Sequence, residues 1–231
     1  SDGACLQIGI GGVPNAVAHL IADSDLKDLG VHTELLPEGL MSVYKAGKIT
    51  GAKKGVDVGK IAASIVIGTN ELFEFVRECP DVMLTSSSYT NDPAMIGKND
   101  HFISLNACLE VDLGGQVCSE SIGTRTISGT GGQLDFVLGA QCSKGGKSIL
   151  CTPSTYTRRD GTRVSRILPT LTPGGVVTTP RSCVQYIVTE YGMVNLRGRT
   201  IWERAELLIG IAHPDFRDDL IRQAKELHLL R

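Results

Sequence analysis

The 231-residue sequence lacks several features that would each indicate a class of protein. It has no apolar run long enough to span a bilayer and no basic-plus-apolar signal peptide. Its 23 basic and 25 acidic residues are scattered evenly, with a net charge of -2, so no basic stripe is available to bind nucleic acid. These absences predict a cytoplasmic protein that binds neither membranes nor nucleic acid, and whose partners are small molecules or other proteins.

Common catalytic and metal-binding patterns are also missing. The seven cysteines form no Cys-x-x-Cys pair and mostly fall among apolar residues, which is typical of small core side chains in a reduced protein. No histidine spacing suits a metal, so we predict no metal site and structural roles for the histidines. The serines lack a Gly-x-Ser-x-Gly setting, which disfavours a serine hydrolase.

What the sequence does contain is an alternation of short apolar runs and helical patterns from Cys5 to about Leu150. This alternation predicts an α/β fold with an open, mostly parallel sheet flanked by helices. The predicted strands are Cys5 to Ile10, Gly30 to Leu35, Ser64 to Gly68, Asp81 to Ser86, His101 to Val111 and Ser148 to Cys151. The predicted helices start at Pro14, Glu38, Asn70, Asp92 and Gln133.

After Cys151 the pattern changes to strand-like pieces separated by Pro, Gly and Thr, which predict a mixed or antiparallel extension of the sheet. Two amphipathic helices, parted by His213 and Pro214, are predicted between Thr200 and Leu229. The absence of repeats and linkers favours a single domain over residues 1–231. A strand-like segment directly after Gly3 leads us to expect another segment ahead of it.

Two glycine-rich turns precede predicted helices, GIGGVP at residues 9–14 and SGTGGQLDF at 128–136. Such turns let backbone N–H groups and a helix N-terminus face an anion or a developing oxyanion, although a tight turn without a ligand is the common alternative. Two turns in one sheet could converge on one crevice. Asp135, in the second turn, is more typical of a first-turn residue favoured by the helix dipole than of a catalytic acid.

Glu34 follows the first glycine turn by about 20 residues, as in a dinucleotide-binding unit. The dinucleotide hypothesis requires a third glycine where this chain has Pro14 and Asn15, which weakens it. By position alone Glu34 could bind a ribose, act as a base, serve as a carboxylate nucleophile, or be a solvated residue at a strand end. Asn106, polar within an apolar run, either bonds internally or faces the site.

Five stretches together carry a resemblance to a known family: QIGIGGVPNAV, LGVHTELLPEGL, NACLEVDLGGQV, SGTGGQLDFVLGA and the tail from VTEYGMVNLRGRT to HPDFRDDL. In order and with matching gaps, they resemble the acetyl-CoA hydrolase/transferase family, which includes 4-hydroxybutyrate, butyrate and acetate CoA-transferases. The resemblance implies a CoA-transferase fold of the NagB/RpiA-like type. It also implies that residues 1–231 are the C-terminal, catalytic-glutamate domain, with an N-terminal α/β domain of the same enzyme as its partner.

The same resemblance implies roles for particular residues. Glu34 is expected to be the catalytic nucleophile. The residues expected to surround the oxyanion and coenzyme A are Ile10, Gly11, Gly12, Asn106, Gly131, Gly132 and Gln133. The expected substrates are a short-chain acyl-CoA and a carboxylic acid, with coenzyme A as substrate and no prosthetic group, in a cytoplasmic homodimer or larger homo-oligomer. An acyl-CoA hydrolase using the same glutamate and a non-catalytic module that binds coenzyme A remain the alternatives.

Overall fold

Strands and helices alternate through most of the chain in the computed structural model, which describes residues 1–230. The strands are β1 (Cys5–Ile8), β2 (Gly30–His32), β3 (Leu35–Leu36), β4 (Ile61–Ala63), β5 (Ile65–Val66), β6 (Val82–Leu84), β7 (Phe102–Ala107), β8 (Glu110–Asp112), β9 (Val117–Cys118), β10 (Ser121–Ile122), β11 (Arg125–Thr126), β12 (Lys147–Cys151), β13 (Thr155–Thr157), β14 (Arg163–Ser165), β15 (Ile167–Leu168), β16 (Tyr186–Thr189) and β17 (Gly192–Asn195). The helices are α1 (Gly12–Ala22), α2 (Glu38–Lys45), α3 (Asn70–Glu78), α4 (Ser87–Thr90), α5 (Pro93–Ile96), α6 (Gln133–Cys142), α7 (Ile201–Gly210) and α8 (Pro214–Glu226).

The chain divides into two compact units, although the sequence had favoured one domain. The first unit comprises Ser1–Asn106 and Leu134–Ser148, and the second comprises Ala107–Gln133 and the chain from Ile149 onward. Each unit is therefore built from two separate segments of the chain.

The first unit contains a parallel sheet with the strand order β7-β1-β2-β4-β6. The four residues of β1 are buried, as expected for a central strand covered on both faces. One hydrophobic cluster joins Cys5 and Phe102 of the sheet to Ile96, Phe136 and Ala140. The rings of Phe102 and Phe136 stack with their centroids 6.2 Å apart. The prediction of an α/β fold with a mostly parallel sheet flanked by helices is confirmed.

The second unit is richer in antiparallel pairing. Strand β16 pairs in parallel with β12 and antiparallel with β17, which gives the mixed edge that the sequence predicted. Strand β8 lies between β15 and β9, while β13 and β14 form an antiparallel hairpin. Helix α7 begins at a capping box in which Thr200 and Glu203 bond each other's backbone N–H, and α8 begins at Pro214 with His213 as its cap.

Several predicted strands are shorter or interrupted in the structure. The run from His101 to Val111 forms two strands, because the backbone N–H of Cys108 donates to Cys151 and that of Leu109 to Cys118, so that the chain changes its pairing partner. Gly30 to Leu35 forms β2 and the start of β3. The strand predicted over Ser64 to Gly68 is misplaced, since β4 ends at Ala63 and β5 covers only Ile65 and Val66.

No helix within residues 1–230 is long and apolar enough to cross a membrane. The seven cysteines of this described part of the chain form no disulfide bonds, and those at positions 5, 108, 118 and 151 are buried.

A glycine in the loop between α2 and β4 is required by close packing. A Cβ on Gly55 would lie 1.8 Å from the carbonyl oxygen of Lys98. We expect Gly55→Ala to lower the free energy of unfolding by about 3 kcal/mol or more, because backbone atoms on both sides would have to move.

The matched control is Gly210→Ala, where an added Cβ would meet no atom within 4 Å. This change at the end of α7 should alter the free energy of unfolding by about 1 kcal/mol or less, in the stabilising direction. Urea denaturation followed by circular dichroism measures both, and equal effects of the two substitutions would contradict the packing argument.

Candidate active site

Glu34 lies in the first unit, where two adjacent strands are interrupted at the same level. Strand β2 ends at His32 and β3 begins at Leu35, while the neighbouring β4 and β5 are interrupted at Ser64. The Glu34 carbonyl accepts hydrogen bonds from the backbone N–H of Ser64 (2.9 Å) and Ile65 (2.8 Å) and from the Ser64 hydroxyl (3.0 Å). Three donors on one carbonyl fix the backbone from which the Glu34 side chain projects.

The parallel strands place Glu34 and the first glycine turn at the same edge of the sheet. Leu6 pairs with Val31 in the parallel β1–β2 ladder, and Ile8 pairs with Leu105 in the β1–β7 ladder. Because β1, β2 and β7 are neighbouring parallel strands, Gly9, Glu34 and Asn106 all lie at the carboxyl ends of these strands, where open α/β sheets bind ligands.

The half-buried Glu34 carboxylate is held by an amide. Asn91, which directly follows α4, donates from Nδ2 to Glu34 Oε2 at 3.1 Å. Burial raises the pKa of Asp135, the hydrogen bond from Asn91 opposes this, and the charge of Glu34 raises the pKa further, so that the net shift is upward.

Thr90 connects the Asn91 amide to Ser64 and His32. The Thr90 hydroxyl lies 3.0 Å from Asn91 Oδ1 and 3.1 Å from the Ser64 hydroxyl. His32 Nε2 lies 2.9 Å from the Thr90 carbonyl oxygen, so the imidazole donates from this nitrogen. The groups that fix the Glu34 main chain and the groups that fix its side chain are therefore joined through Thr90.

His32 is fully buried, and its surroundings keep it neutral. Burial lowers its pKa from 6.5 to about 4, and the nearby charge of Lys54 lowers it too, while the Thr90 carbonyl and the charge of Asp57 oppose the shift. Lys54 is itself buried, with a lowered pKa, and its ammonium group donates to the Lys60 carbonyl at 2.7 Å. His32 is therefore a neutral imidazole that donates a hydrogen bond to the Thr90 carbonyl.

The first glycine turn leaves the N-terminus of α1 open. Gly11 is the N-cap, with φ 128° and ψ 168°, a conformation that favours glycine, and no side chain caps the helix. The first turn of α1 contains no acidic residue, Ile10 is 63% exposed, and a Cβ on Gly12 would meet no atom within 4 Å. Backbone N–H groups without helical partners are therefore available at this end of α1.

Asn106 is held in a buried amide network directly beneath that turn. It accepts from Gln7 Nε2 at 2.8 Å and donates to Gln7 Oε1 (3.1 Å) and to the Ser104 hydroxyl (3.0 Å). A Cβ on Gly9 would lie 2.6 Å from Asn106 Oδ1. Of the two sequence-based interpretations, internal bonding describes the Asn106 side chain, which lies close to Gly9 at the start of the turn.

The second glycine turn belongs to the second unit. Gly131 adopts φ 57° and is exposed, Gly132 is buried, and Gln133 donates from Nε2 to the Thr179 hydroxyl at 3.0 Å. This bond holds the Gln133 side chain within the second unit. A role of these three residues toward an oxyanion or coenzyme A stays a prediction.

Sequence reasoning missed Asn91. It lies in the run Thr-Asn-Asp-Pro, where asparagine and aspartate are common for capping reasons alone. Its only sequence signal is a polar run after a short strand in a parallel-sheet pattern. Asp135 occupies the first turn of α6, as predicted. Within residues 1–230, no cluster of three or more His, Cys, Asp or Glu side chains could hold a metal ion.

The first unit thus defines an α/β protein with a carboxylate-centred site at the carboxyl ends of parallel strands. Residues 68–224 match the family model described as the acetyl-CoA hydrolase/transferase C-terminal domain. This match covers more than half of the chain, which therefore belongs to the acetyl-CoA hydrolase/transferase family.

Individual relatives agree with this family. The chain is 53% identical over its whole length to a probable butyrate:acetyl-CoA coenzyme A-transferase of Syntrophomonas wolfei, of which it covers 51%. It is 49% identical over 97% of its length to a 4-hydroxybutyrate coenzyme A transferase of Clostridium kluyveri, again covering 51%. The crystal structure of RipA from Yersinia pestis matches the whole chain with a TM-score of 0.92 and 46% identity, over 51% of that protein. The chain spans about half the length of these relatives.

Because burial keeps His32 neutral, we expect the free energy of unfolding to depend on pH. Its pKa is 6.5 in the unfolded state and about 4 in the folded state, so the unfolded chain alone binds a proton between these values. The stabilisation is complete above about pH 6.5 and is lost as the pH falls toward 4, by about 3 kcal/mol in total. Urea denaturation at several pH values should therefore show a shallower decline for His32→Gln than for the unmodified chain.

The control for this experiment is His19→Gln, because His19 is exposed on α1. It should retain the decline of the unmodified chain. An unchanged decline in His32→Gln would show that burial of His32 does not favour its neutral form.

Proposed function

We propose that this chain is the catalytic-glutamate domain of an acyl-CoA:carboxylate CoA-transferase, with Glu34 as the nucleophile. The observation that carries the proposal is the Glu34 carboxylate, held by Asn91 at 3.1 Å, at the edge of the sheet where β1 leads into the uncapped N-terminus of α1. A fixed carboxylate at the same sheet edge as free N–H donors suits attack on a thioester followed by stabilisation of the resulting oxyanion.

The proposed reaction proceeds in two halves. A Glu34 oxygen attacks the thioester carbonyl of the acyl-CoA, and the C–S bond breaks to give an acyl-glutamyl anhydride and CoA thiolate. The thiolate then attacks the glutamyl carbonyl, which releases the first carboxylic acid as its anion and leaves a glutamyl-CoA thioester. An incoming carboxylate reverses both steps and departs as the new acyl-CoA, so that charge and atoms balance without an added proton.

The residues around Glu34 take the following roles in this proposal. N–H groups at the turn Ile10, Gly11 and Gly12 receive the negative charge that forms on the tetrahedral oxygen, and each such donor contributes about 3 kcal/mol to the transition state. Asn106 supports this turn from below. We assign Gly131, Gly132 and Gln133 to binding coenzyme A or the oxyanion, on the strength of the family resemblance alone.

The proposal also covers the partner domain, the oligomer and the substrates. Because the chain spans about half of its relatives and matches a C-terminal domain model, we propose that it acts together with an N-terminal domain of the same enzyme. The family resemblance is likewise the support for a cytoplasmic homodimer, and for short-chain acyl-CoA and carboxylate substrates with no prosthetic group.

Mass spectrometry tests the nucleophile directly. The protein, expressed from its complete coding sequence, is incubated with butyryl-CoA, and we expect a glutamyl-CoA adduct on the peptide that contains Glu34. The variant Glu34→Ala should form no adduct, whereas Glu74→Ala, which alters an exposed glutamate on α3, should form it at the normal rate. An adduct that persists in Glu34→Ala, or its absence from the unmodified protein, would rule out this nucleophile.

Product analysis separates the transferase from a hydrolase of the same family. With labelled acetate present, a transferase transfers CoA to acetate and forms labelled acetyl-CoA. A hydrolase releases free CoA at the same rate whether acetate is present or not. A protein that binds butyryl-CoA without forming either product would be a non-catalytic module.

A further inference from the structure

We propose that Thr90 is a positioning residue, whose hydroxyl group anchors the Asn91 side chain and so fixes the amide that holds Glu34. The inference rests on the proposed function, because its consequence for rate requires Glu34 to be the nucleophile. The underlying observation is a pair of consecutive hydrogen bonds in the first unit. The Thr90 hydroxyl donates to Asn91 Oδ1 at 3.0 Å, and Asn91 Nδ2 donates to Glu34 Oε2 at 3.1 Å.

A hydrogen bond between two side chains does not by itself position either of them. Asn91 and Glu34 can each rotate about their own side-chain bonds while the contact between them is kept. The Asn91 amide becomes a fixed point only when its other end is bonded to a group that does not rotate with it. The Thr90 hydroxyl bonds that other end, the Oδ1 atom.

Thr90 is itself held by the strands around Glu34. It is fully buried, and as a β-branched residue it has a restricted side-chain torsion. Its carbonyl accepts from His32 Nε2 at 2.9 Å, and its hydroxyl lies 3.1 Å from that of Ser64. His32 is the last residue of β2, and Ser64 lies between β4 and β5. Both interrupted strands therefore hold Thr90 in place.

The surrounding bonds direct the Thr90 hydroxyl proton to Asn91. A hydroxyl has a single proton to donate, and acceptors on Asn91 and Ser64 both lie within reach of this one. Because the Glu34 carboxylate only accepts, Asn91 turns its NH2 group toward Glu34 and its oxygen toward Thr90. That oxygen requires a donor, whereas the Ser64 hydroxyl already donates to the Glu34 carbonyl at 3.0 Å.

The anchor has a specific use in the proposed reaction. Glu34 is an anion before attack and a neutral acyl group in the anhydride and the thioester, so the strength of its bond to Asn91 changes during the cycle. The bond between Thr90 and Asn91 joins two uncharged groups and does not depend on the state of Glu34. Thr90 therefore keeps the Asn91 amide in one place while the glutamyl group reacts.

The ordinary explanation of a buried threonine is that it fills space and satisfies its own hydroxyl group. Under that explanation, loss of the methyl group is as harmful as loss of the hydroxyl group, and the damage is to stability. A residue that acts through Asn91 should instead need its hydroxyl group for rate, and should lose its effect on rate once Asn91 is removed.

Two matched pairs of side chains at position 90 separate the hydroxyl group from the packing. Threonine and Thr90→Val have nearly the same shape and differ in the hydroxyl group. Thr90→Ser and Thr90→Ala both lack the methyl group and again differ in the hydroxyl group. If Thr90→Val fails to fold, the comparison of serine with alanine still tests the proposal.

The readout is the rate at which saturating butyryl-CoA forms the glutamyl-CoA adduct on protein expressed from its complete coding sequence. We expect Thr90→Val and Thr90→Ala to react about 10- to 100-fold more slowly than their hydroxyl-bearing counterparts. The butyryl-CoA concentration that gives half the maximal rate should change less than about threefold, because Thr90 acts on Glu34 and not on the substrate. Equal rates for Thr90→Ser and Thr90→Ala would overturn the proposal.

The Asn91→Ala background shows whether Thr90 acts through the amide. In that background the rates of Thr90→Ser and Thr90→Ala should differ by less than about twofold. The control is Ser87→Ala, which removes an exposed hydroxyl from the same short helix, α4, and should leave the rate unchanged. A loss from Thr90→Ala that is as large without Asn91 as with it would show that Thr90 does not act through Asn91.

Crystal structures without substrate separate this proposal from the proposed function. In Thr90→Val and Thr90→Ala, the Asn91 amide should be rotated or divided between conformers, whereas Thr90→Ser should keep it in one orientation. An unchanged Asn91 in both variants without the hydroxyl would overturn the anchor whatever the activity. A displaced Asn91 in a protein that forms no Glu34 adduct would support the anchor and refute Glu34 as the nucleophile, and with it the effect of Thr90 on rate.

Discussion

The backbone carbonyl of Glu34 is the point on which the candidate site depends. It accepts three hydrogen bonds from Ser64 and Ile65, and these bonds form only because two adjacent parallel strands are interrupted at the same level. An uninterrupted β2 would place Glu34 in a regular ladder, with its side chain confined to one face of the sheet. The shared interruption instead leaves Glu34 between β2 and β3, with its main chain fixed by Ser64 and Ile65 and its carboxylate half-buried.

Satisfaction of buried polar groups extends this constraint outward. Ser64 and Thr90 connect the main chain of Glu34 to Asn91, which also holds the Glu34 carboxylate. At the carboxyl end of the adjacent β1, Gln7, Ser104 and Asn106 satisfy one another under the glycine turn. Each group in such a network limits the freedom of the next, because leaving a buried donor or acceptor without a partner costs about 1–3 kcal/mol. The site is thereby positioned by polar contacts set into an apolar sheet.

The sequence predicted the parts of this arrangement that depend on local pattern. The period of apolar residues revealed the α/β class, the glycine turn before α1 and the starts of α2, α3 and α6, since these follow from hydrophobic burial and helix capping. Glu34 was found from its place after a strand and from the family resemblance. The kink at Glu34 and Ser64 was not predicted, because it depends on pairing between strands that lie about 30 residues apart. Asn91 was missed for the same reason, since nothing local distinguishes it from a capping asparagine.

The division into two units has a consequence for how this chain can be altered. The chain passes from one unit to the other after residues 106, 133 and 148, so neither unit is encoded by one continuous stretch of gene. No single crossover between related genes would exchange one whole unit and leave the other unchanged. An attempt to graft the glutamate-bearing unit onto another scaffold must therefore carry residues 134–148 along with the first 106.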